Sequence, residues 1–374
     1  MRIGFDAYSA FINNSGLGNY SRMTIDILAR HFALGNKYFL MSGFNDNKSG
    51  FVIPEGVEVV TPSNLIGDIS PYLWRNFMMS RDLRQKKIDI YHGLTNELPT
   101  DIRLGGAKSV VTIHDLAFLK YPNLYSYARR YVSNQKCKFA CNYSDLIVAT
   151  SQQTKEDIIE NYKVSPERIE VVGQSCCPIF KKTYSDEKVA KIKSKYNLPD
   201  KYILSVGTLE ERKNLILTLH AMASGMLEDV HLVACGQYTD YAEKLIEFTY
   251  EAKINDRVHF IQNIHFYDLP IVYQNARALV YMSLFEGFGL PIIEAFDAGL
   301  PVITSNGSVF QETGGDACIY VGQYDLEGMI EAVNSVISDE NKRKDMIEKG
   351  RKRALLYNGS KIADDIFSVY EKLM

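Results

Sequence analysis

The sequence contains no uncharged apolar run approaching the ~20 residues that cross a bilayer as a helix, so no membrane span is expected. Its start, MRIGFDAYSA, has no basic segment followed by an apolar one and reads as a first strand, not a secretion signal. Cysteine is scarce, with six in 374 residues and two of them adjacent at Cys176-Cys177. That pattern suits no disulfide framework and points to a reducing, cytoplasmic compartment. Cys137 and Cys141 have helical spacing and are read as packing residues. No zinc-type Cys/His spacing occurs, D-x-D is absent, and the adjacent aspartates Asp364-Asp365 fall in a terminal helix, so no metal site is expected. Neither sign of charge dominates: 42 Lys and Arg against 45 Asp and Glu leave a net −3. Without a global positive field, nucleic acid is not an expected partner.

The chain does have ordinary globular content, 46% hydrophobic and 23% charged. Its length exceeds the ~250–300 residues at which a single core stops growing, which predicts two domains with a cleft between them. Short β-branched or aromatic runs alternate with helical periodicity. The first set is RIGFDAYS, a helix near Asn19–His31, KYFLMSG, KIDIYHG, SVVTIHD and DLIVAT, followed by ERIEVV. The second is YILSVGTL, a helix near Leu215–Ala223, VHLVACG, a helix near Tyr241–Lys253, RVHFIQ, ARALVYMS, PVITSN and ACIYVG. This rhythm implies βαβ units and parallel sheets in an α/β chain of two doubly wound halves. The expected domains are residues 1–174, 175–357 and a C-terminal helix, 358–374, that returns to the first. A linker is placed at Gly173–Ser185, and a helix stop with a fresh cap at Tyr357–Ser360.

Ligands of open α/β sheets bind beyond the carboxyl ends of the strands, so three loops stand out. Asn14–Asn19 carries Gly16 and Gly18, which let backbone approach a ligand at a helix N-terminus. As a dinucleotide fingerprint it is incomplete, because Ser21 stands at the third glycine position. Gly207–Asn214, GTLEERKN, brings Arg212 and Lys213 to a strand-to-helix turn where they can grip a diphosphate or form a self-compensating charge run. Phe285–Gly299 joins Glu286, Gly287, Phe288 and Gly289 to a short helix begun by Leu290-Pro291 and stopped by Gly299. Its N-terminus is a ready anion site, and Glu286 and Glu294 can each accept two hydroxyls or serve as helix-end carboxylates.

These segments resemble the family-four retaining glycosyltransferases of GT-B fold. Glu286 and Glu294 match that family's E-x7-E pattern, and Gly207 through Asn214 match G-T-L-E-x-R-K-N. Gly16-x-Gly18 and Thr112-Ile113-His114-Asp115 fit as well, so the likeness covers nearly the whole chain. It implies two Rossmann-like domains facing across a cleft. It also implies that Arg212 and Lys213 hold the donor diphosphate, Glu294 the ribose, and Glu286 hydroxyls of the transferred sugar. Gly207, Gly287, Phe288, Gly289 and Leu290 would anchor sugar and phosphates, Gly16 and Gly18 would close over them, and His114 would lie near the anomeric carbon. The catalytic set implied is Glu286, His114, Arg212 and Lys213, without metal or cofactor. GLGNYSR and TIHDLAF look most like mannosyltransferases of surface polysaccharide synthesis, which favours a GDP-sugar over a UDP-sugar. The chain departs from the family at Gly173-Gln174-Ser175-Cys176, where a Pro-Asn-Gly turn is usual, at Gln262-Asn263 and at Gln311. Hinge geometry and base identity therefore stay open.

The implied acceptor is a saccharide or a lipid-linked saccharide. Two basic segments, Tyr72–Lys87 and Tyr125–Cys141, are either ordinary amphipathic helices or a peripheral contact with the inner face of the cell membrane. A nicotinamide oxidoreductase shares the doubly wound sheet but has no use for the Arg212-Lys213 and Glu286/Glu294 set. A non-catalytic nucleotide-sugar-binding subunit is the remaining alternative.

Overall fold

The computed structural model describes residues 1–13, 15–43, 47–62, 70–307 and 309–374. The chain forms two units, Met1–Ser175 with Asn358–Met374, and Cys176–Tyr357. Ser175 thus belongs to the first unit.

The first unit is built on seven parallel strands: β1 (Arg2–Asp6), β2 (Lys37–Met41), β3 (Val57–Val60), β4 (Ile90–Gly93), β5 (Lys108–Ile113), β6 (Leu146–Ala149) and β7 (Ile169–Val171), in the order β3-β2-β1-β4-β5-β6-β7. Helices cover both faces, so β4 and β6 are buried at every residue and β6, LIVA, reads as a continuous apolar run. The edge strand β3, VEVV, is only partly buried and escaped the sequence reading because four mixed residues give no clear period.

The glycine segment differs from the expected loop. A short helix, Tyr8–Ile12, follows β1, and the next helix spans Gly16–His31, so Gly16 and Gly18 lie in its first turn. A Cβ at Gly18 would stand 1.8 Å from the Asn13 carbonyl oxygen, which is why this turn tolerates no side chain there. Arg22, one turn on, donates to the carbonyls of Ala10 and Asn13 at 3.0 and 2.8 Å and fixes the same corner. Asn14 lies outside the described residues.

The C-terminal helix spans Gly359–Glu371 and packs on Gly16–His31, with Phe32 and Phe367 stacked at 3.9 Å. Asn358, not Ser360, caps it by accepting from the Lys361 N–H, and Gly359 is its first residue, not the preceding helix's stop. That preceding helix, Glu340–Ala354, runs out through a 3-10 turn at Leu355–Tyr357. A buried polar chain joins the final helix to the sheet. Tyr370 Oη lies 2.7 Å from His92 Nδ1, His92 Nε2 lies 2.8 Å from Thr112 Oγ1, and Tyr20 Oη lies 3.0 Å from the same hydroxyl. Burial pushes the His92 pKa down to about 3, so the ring is neutral.

The basic segment near residue 72 also departs from expectation. It breaks into Pro71–Phe77 and Met79–Gln85, and Trp74 and Arg75 of the first helix face inward. Trp74 donates to Asp82 at 2.7 Å, while Arg75 is clamped by Asp6 at 2.6 Å and Glu97 at 2.8 Å. Neither can touch a membrane. The helix Tyr127–Tyr143 buries Cys137 and Cys141 in the core and leaves Tyr127, Tyr131 and Val132 exposed. Among the described residues, no helix is long and apolar enough to cross a membrane.

The second unit holds six parallel strands: β8 (Tyr202–Val206), β9 (His231–Cys235), β10 (Val258–Ile261), β11 (Ala278–Tyr281), β12 (Val302–Ser305) and β13 (Cys318–Val321), ordered β10-β9-β8-β11-β12-β13. The order reverses between β8 and β11, the switch point beyond whose carboxyl ends open α/β sheets bind their ligands. The expected linker is partly structured, with a 3-10 turn at Pro178–Lys181 that buries Ile179 and Phe180.

Tyr370→Phe should leave the buried His92 Nδ1 without its partner and cost about 1–3 kcal/mol. A unit of this size should then unfold about 2–4 °C lower for each kcal/mol lost. Lys361→Ala, which breaks only an exposed pair with Asp365, should stay within about 0.5 kcal/mol. Equal melting of the two variants would show that the polar chain does not fasten the helix.

Candidate functional site

The switch point of the second sheet gathers the second and third loops. After β8 the chain turns at Gly207, whose φ of +140° is open to glycine and whose absent Cβ leaves room for the Lys213 side chain 3.2 Å away. Glu211–Lys213 form one 3-10 turn, and Asn214, in the left-handed region at φ +52°, starts the helix Leu215–Ala223. After β11, residues Met282–Gly289 lead to the helix Leu290–Ala298, with Pro291 in its first turn and Gly299 closing it at φ +72°. The two loops are sewn together. Leu284 N–H donates to the Arg212 carbonyl at 2.8 Å, and Arg212 Nη1 donates to the Phe285 carbonyl at 2.7 Å. Gln323, from the loop after β13, donates to the Leu284 carbonyl and accepts at its own carbonyl from Asn214, both at 2.8 Å.

This stitching brings Arg212, Lys213 and Glu286 into one cluster. Glu286 Oε1 lies 2.9 Å from Arg212 Nη1 and 2.5 Å from Lys213 Nζ. Their side chains are only 12–17% exposed, while Glu210, 2.7 Å from Arg212, is 36% exposed. Lys213 also donates to Tyr281 Oη at 3.3 Å and sits over that ring. Burial alone would raise the Glu286 carboxyl, yet Arg212 and Lys213 pull it down to about 2, so it is a fixed anion. Burial and the neighbouring Arg212 charge lower the Lys213 pKa, against the opposing effect of Glu286.

Glu294 is placed differently. It is buried on the Leu290–Ala298 helix and accepts from Tyr273 Oη at 2.6 Å. Burial, with the Asp297 charge adding, raises its pKa to about 7 against the lowering effect of the Tyr273 hydroxyl. The structure therefore separates two carboxylates that share one sequence motif: Glu286 is held as an anion by cations, and Glu294 hangs near neutrality on a phenol. Phe288 is buried, its carbonyl accepts from Thr313 Oγ1, and Gly289 enters the helix at φ +92°.

His114 belongs to the first unit, at the end of β5. Its ring meets the Leu94 carbonyl through Nε2 at 2.9 Å; a carbonyl only accepts, so Nε2 carries the proton. Nδ1 then accepts from the Gln174 amide at 3.3 Å, and Tyr20 stands edge-on at 4.6 Å. Its backbone N–H donates to Asn96, and its carbonyl accepts from Thr150 and Thr154. Burial lowers its pKa despite the Leu94 contact. Both ring nitrogens are engaged, so this histidine is a fixed neutral wall and not a poised base. Tyr281, Tyr273, Gln323 and Gln174 were not singled out from sequence as site residues. Tyr281 ends a strand beside a candidate loop, a signal that was available; Gln174 was noted only as a departure from the family.

Two family models match the chain, Glycosyltransferase Family 4 over residues 21–174 and Glycosyl transferases group 1 over residues 186–353. The chain belongs to the family-four glycosyltransferases. This glycosyltransferase is 29% identical over 230 residues to the O-antigen chain mannosyltransferase RfbU of Salmonella typhimurium, covering 60% of each chain. It is 25% identical over 295 residues to the O-antigen chain mannosyltransferase B of Escherichia coli, covering 78% of this chain and 76% of that one. The first match thus spans about three fifths of the relative's length. The sucrose-phosphate synthase of Thermosynechococcus elongatus shares the fold at a TM-score of 0.79 and 20% identity, over 100% of this chain and 99% of that one. The fold of the glycosyltransferase is GT-B, two Rossmann-like units of parallel sheet.

The raised Glu294 pKa has a thermodynamic signature. Its folded value lies above the unfolded one, so the stability it contributes is complete below about pH 4.5 and fades as pH rises through 7. Glu294→Gln, which cannot ionise, should gain stability over the wild-type glycosyltransferase across that window, by about 1.4 kcal/mol per pH unit. Chemical denaturation between pH 5 and 8 measures it. A difference independent of pH would contradict the buried, near-neutral carboxyl.

Proposed function

We propose that the chain is a retaining hexosyltransferase that moves mannose from GDP-mannose to a hydroxyl of a saccharide or lipid-linked saccharide. The observation that carries this reading is the cluster of two cations against one carboxylate at the switch point of the second sheet, 12–17% exposed. Glu210, 2.7 Å from Arg212 and partly exposed, supplies the second negative charge, so an entering diphosphate would take over carboxylate contacts already in place, and two adjacent cations and a helix N-terminus fit that anion. The mannosyltransferase names of RfbU and mannosyltransferase B support the choice of sugar.

In this mechanism the entering diphosphate accepts from Arg212 and Lys213, and the N–H groups of Phe288, Gly289 and Leu290 face its oxygens. Glu286, relieved of part of its pairing, accepts from hydroxyls of the sugar. The glycosidic bond to the phosphate breaks through an oxocarbenium-like transition state, and the cations stabilise the charge growing on the departing diphosphate. The acceptor hydroxyl attacks from the same face, its oxygen forms the new bond to the anomeric carbon, and its proton passes to the leaving phosphate oxygen. Neither glutamate acts as a covalent nucleophile. The cations supply the neutralisation that a divalent metal gives elsewhere, so the transfer is proposed to run without one. Exposed Tyr127, Tyr131 and Val132 beside Arg129 and Arg130 support a peripheral contact with an anionic membrane for a lipid-linked acceptor.

Arg212→Ala should lower turnover of GDP-mannose by about 10²–10³, assayed with chelator present throughout. Turnover within twofold of wild type would remove Arg212 from the phosphate clamp. Wild-type activity that chelator abolishes and manganese restores would overturn the metal-free mechanism.

A further inference from the structure

The Glu294 carboxylate is not held by a cation. Among the described residues it has no ion pair, and its one hydrogen bond is from Tyr273 Oη, 2.6 Å from Oε2. Its second oxygen has no partner, yet it is not among the sealed, unsatisfied atoms of the interior, so it reaches solvent. Tyr273 itself is fully buried on the helix Leu269–Gln274 and locked edge-on against Phe180 at 5.2 Å. The phenol therefore has one direction to point, and its hydroxyl meets one carboxylate oxygen while leaving the other facing outward.

We infer that Tyr273 is a positioning residue for the donor nucleotide, holding Glu294 so that its open oxygen accepts from the ribose hydroxyls. The inference rests on the nucleotide-sugar reading and extends it to a residue that makes no contact with substrate. An O–H can only donate to a carboxylate, so Tyr273 favours the ionised Glu294 that a ribose diol requires.

The surroundings fix the sign of the pH dependence. Asp297, one turn along the same helix, disfavours ionisation of Glu294 and is itself paired with Lys181 at 3.2 Å. Cys176, from the segment before Pro178–Lys181, adds no positive charge, since burial keeps its thiol protonated. Arg351, from the packed helix Glu340–Ala354, is turned to the backbone at Gly299. Tyr273 is thus the one group facing Glu294 that lowers its pKa. Removing the hydroxyl moves the ionisation of Glu294 to higher pH, and nucleotide affinity at neutral pH falls.

The test is calorimetric titration of the full chain with GDP, UDP and their 2′,3′-dideoxy counterparts from pH 5.5 to 8.5, for wild type, Tyr273→Phe and Glu294→Gln. Wild type should bind the ribonucleotide more tightly than the dideoxy form, with affinity rising with pH. Tyr273→Phe should bind the ribonucleotide about tenfold more weakly at pH 7, with the midpoint of the pH profile moved upward and dideoxy binding unchanged. Glu294→Gln should abolish the pH dependence. An unchanged profile in Tyr273→Phe, or equal loss of ribo and dideoxy forms, would overturn the positioning role while leaving Glu294 as the ribose ligand. No ribose discrimination in wild type, or no binding of either ribonucleotide, would remove the Glu294 assignment and this inference together.

Discussion

Everything at the switch point of the second unit depends on how three charges are kept out of water. Arg212, Lys213 and Glu286 lie within 2.9 Å of one another through a single carboxylate oxygen, in a place where each charge alone would be costly. Glu210, 2.7 Å from Arg212, supplies the second negative charge from a more exposed position. The loops that carry them are cross-braced by main-chain bonds at Leu284 and Phe285 and by Gln323, so the charges cannot relax outward. Under the proposed function, a cluster braced this way would spend little on reorganisation when the diphosphate arrives.

The same unit uses burial to opposite ends eight residues apart. Glu286 is driven to an acidic pKa by its cations, whereas Glu294, with a phenol and a neighbouring aspartate, is raised to about 7. One group is a permanent counter-ion and the other a carboxyl whose charge is tuned near neutral pH. The pair could not exchange roles, because Lys213 and Arg212 reach only the loop residue.

Much of this was legible in the sequence. Among the described residues, β-branched and aromatic runs alternating with helical periods marked twelve of the thirteen strands; the edge strand Val57–Val60 escaped for want of a clear period. Pro291 and Gly299 marked the ends of the Glu294 helix through their backbone constraints. Partners supplied from far along the chain were not legible. Tyr273 reaches Glu294 across 21 positions, Gln174 reaches His114 across 60, and Gln323 reaches Leu284 across 39. The glycine turn was legible as a strand-to-helix corner but not as part of the helix: Gly18 makes a close approach to the Asn13 carbonyl within the first turn, and sequence alone does not distinguish that from an open loop.

The most direct measurement is calorimetric titration of GDP into wild type and Lys213→Ala at two salt concentrations. The account predicts one GDP per chain, affinity that falls with added salt, and at least tenfold weaker binding in the variant. Equal affinity in both proteins, or no nucleoside diphosphate bound by wild type, would contradict the claim that the buried charge cluster is a diphosphate site.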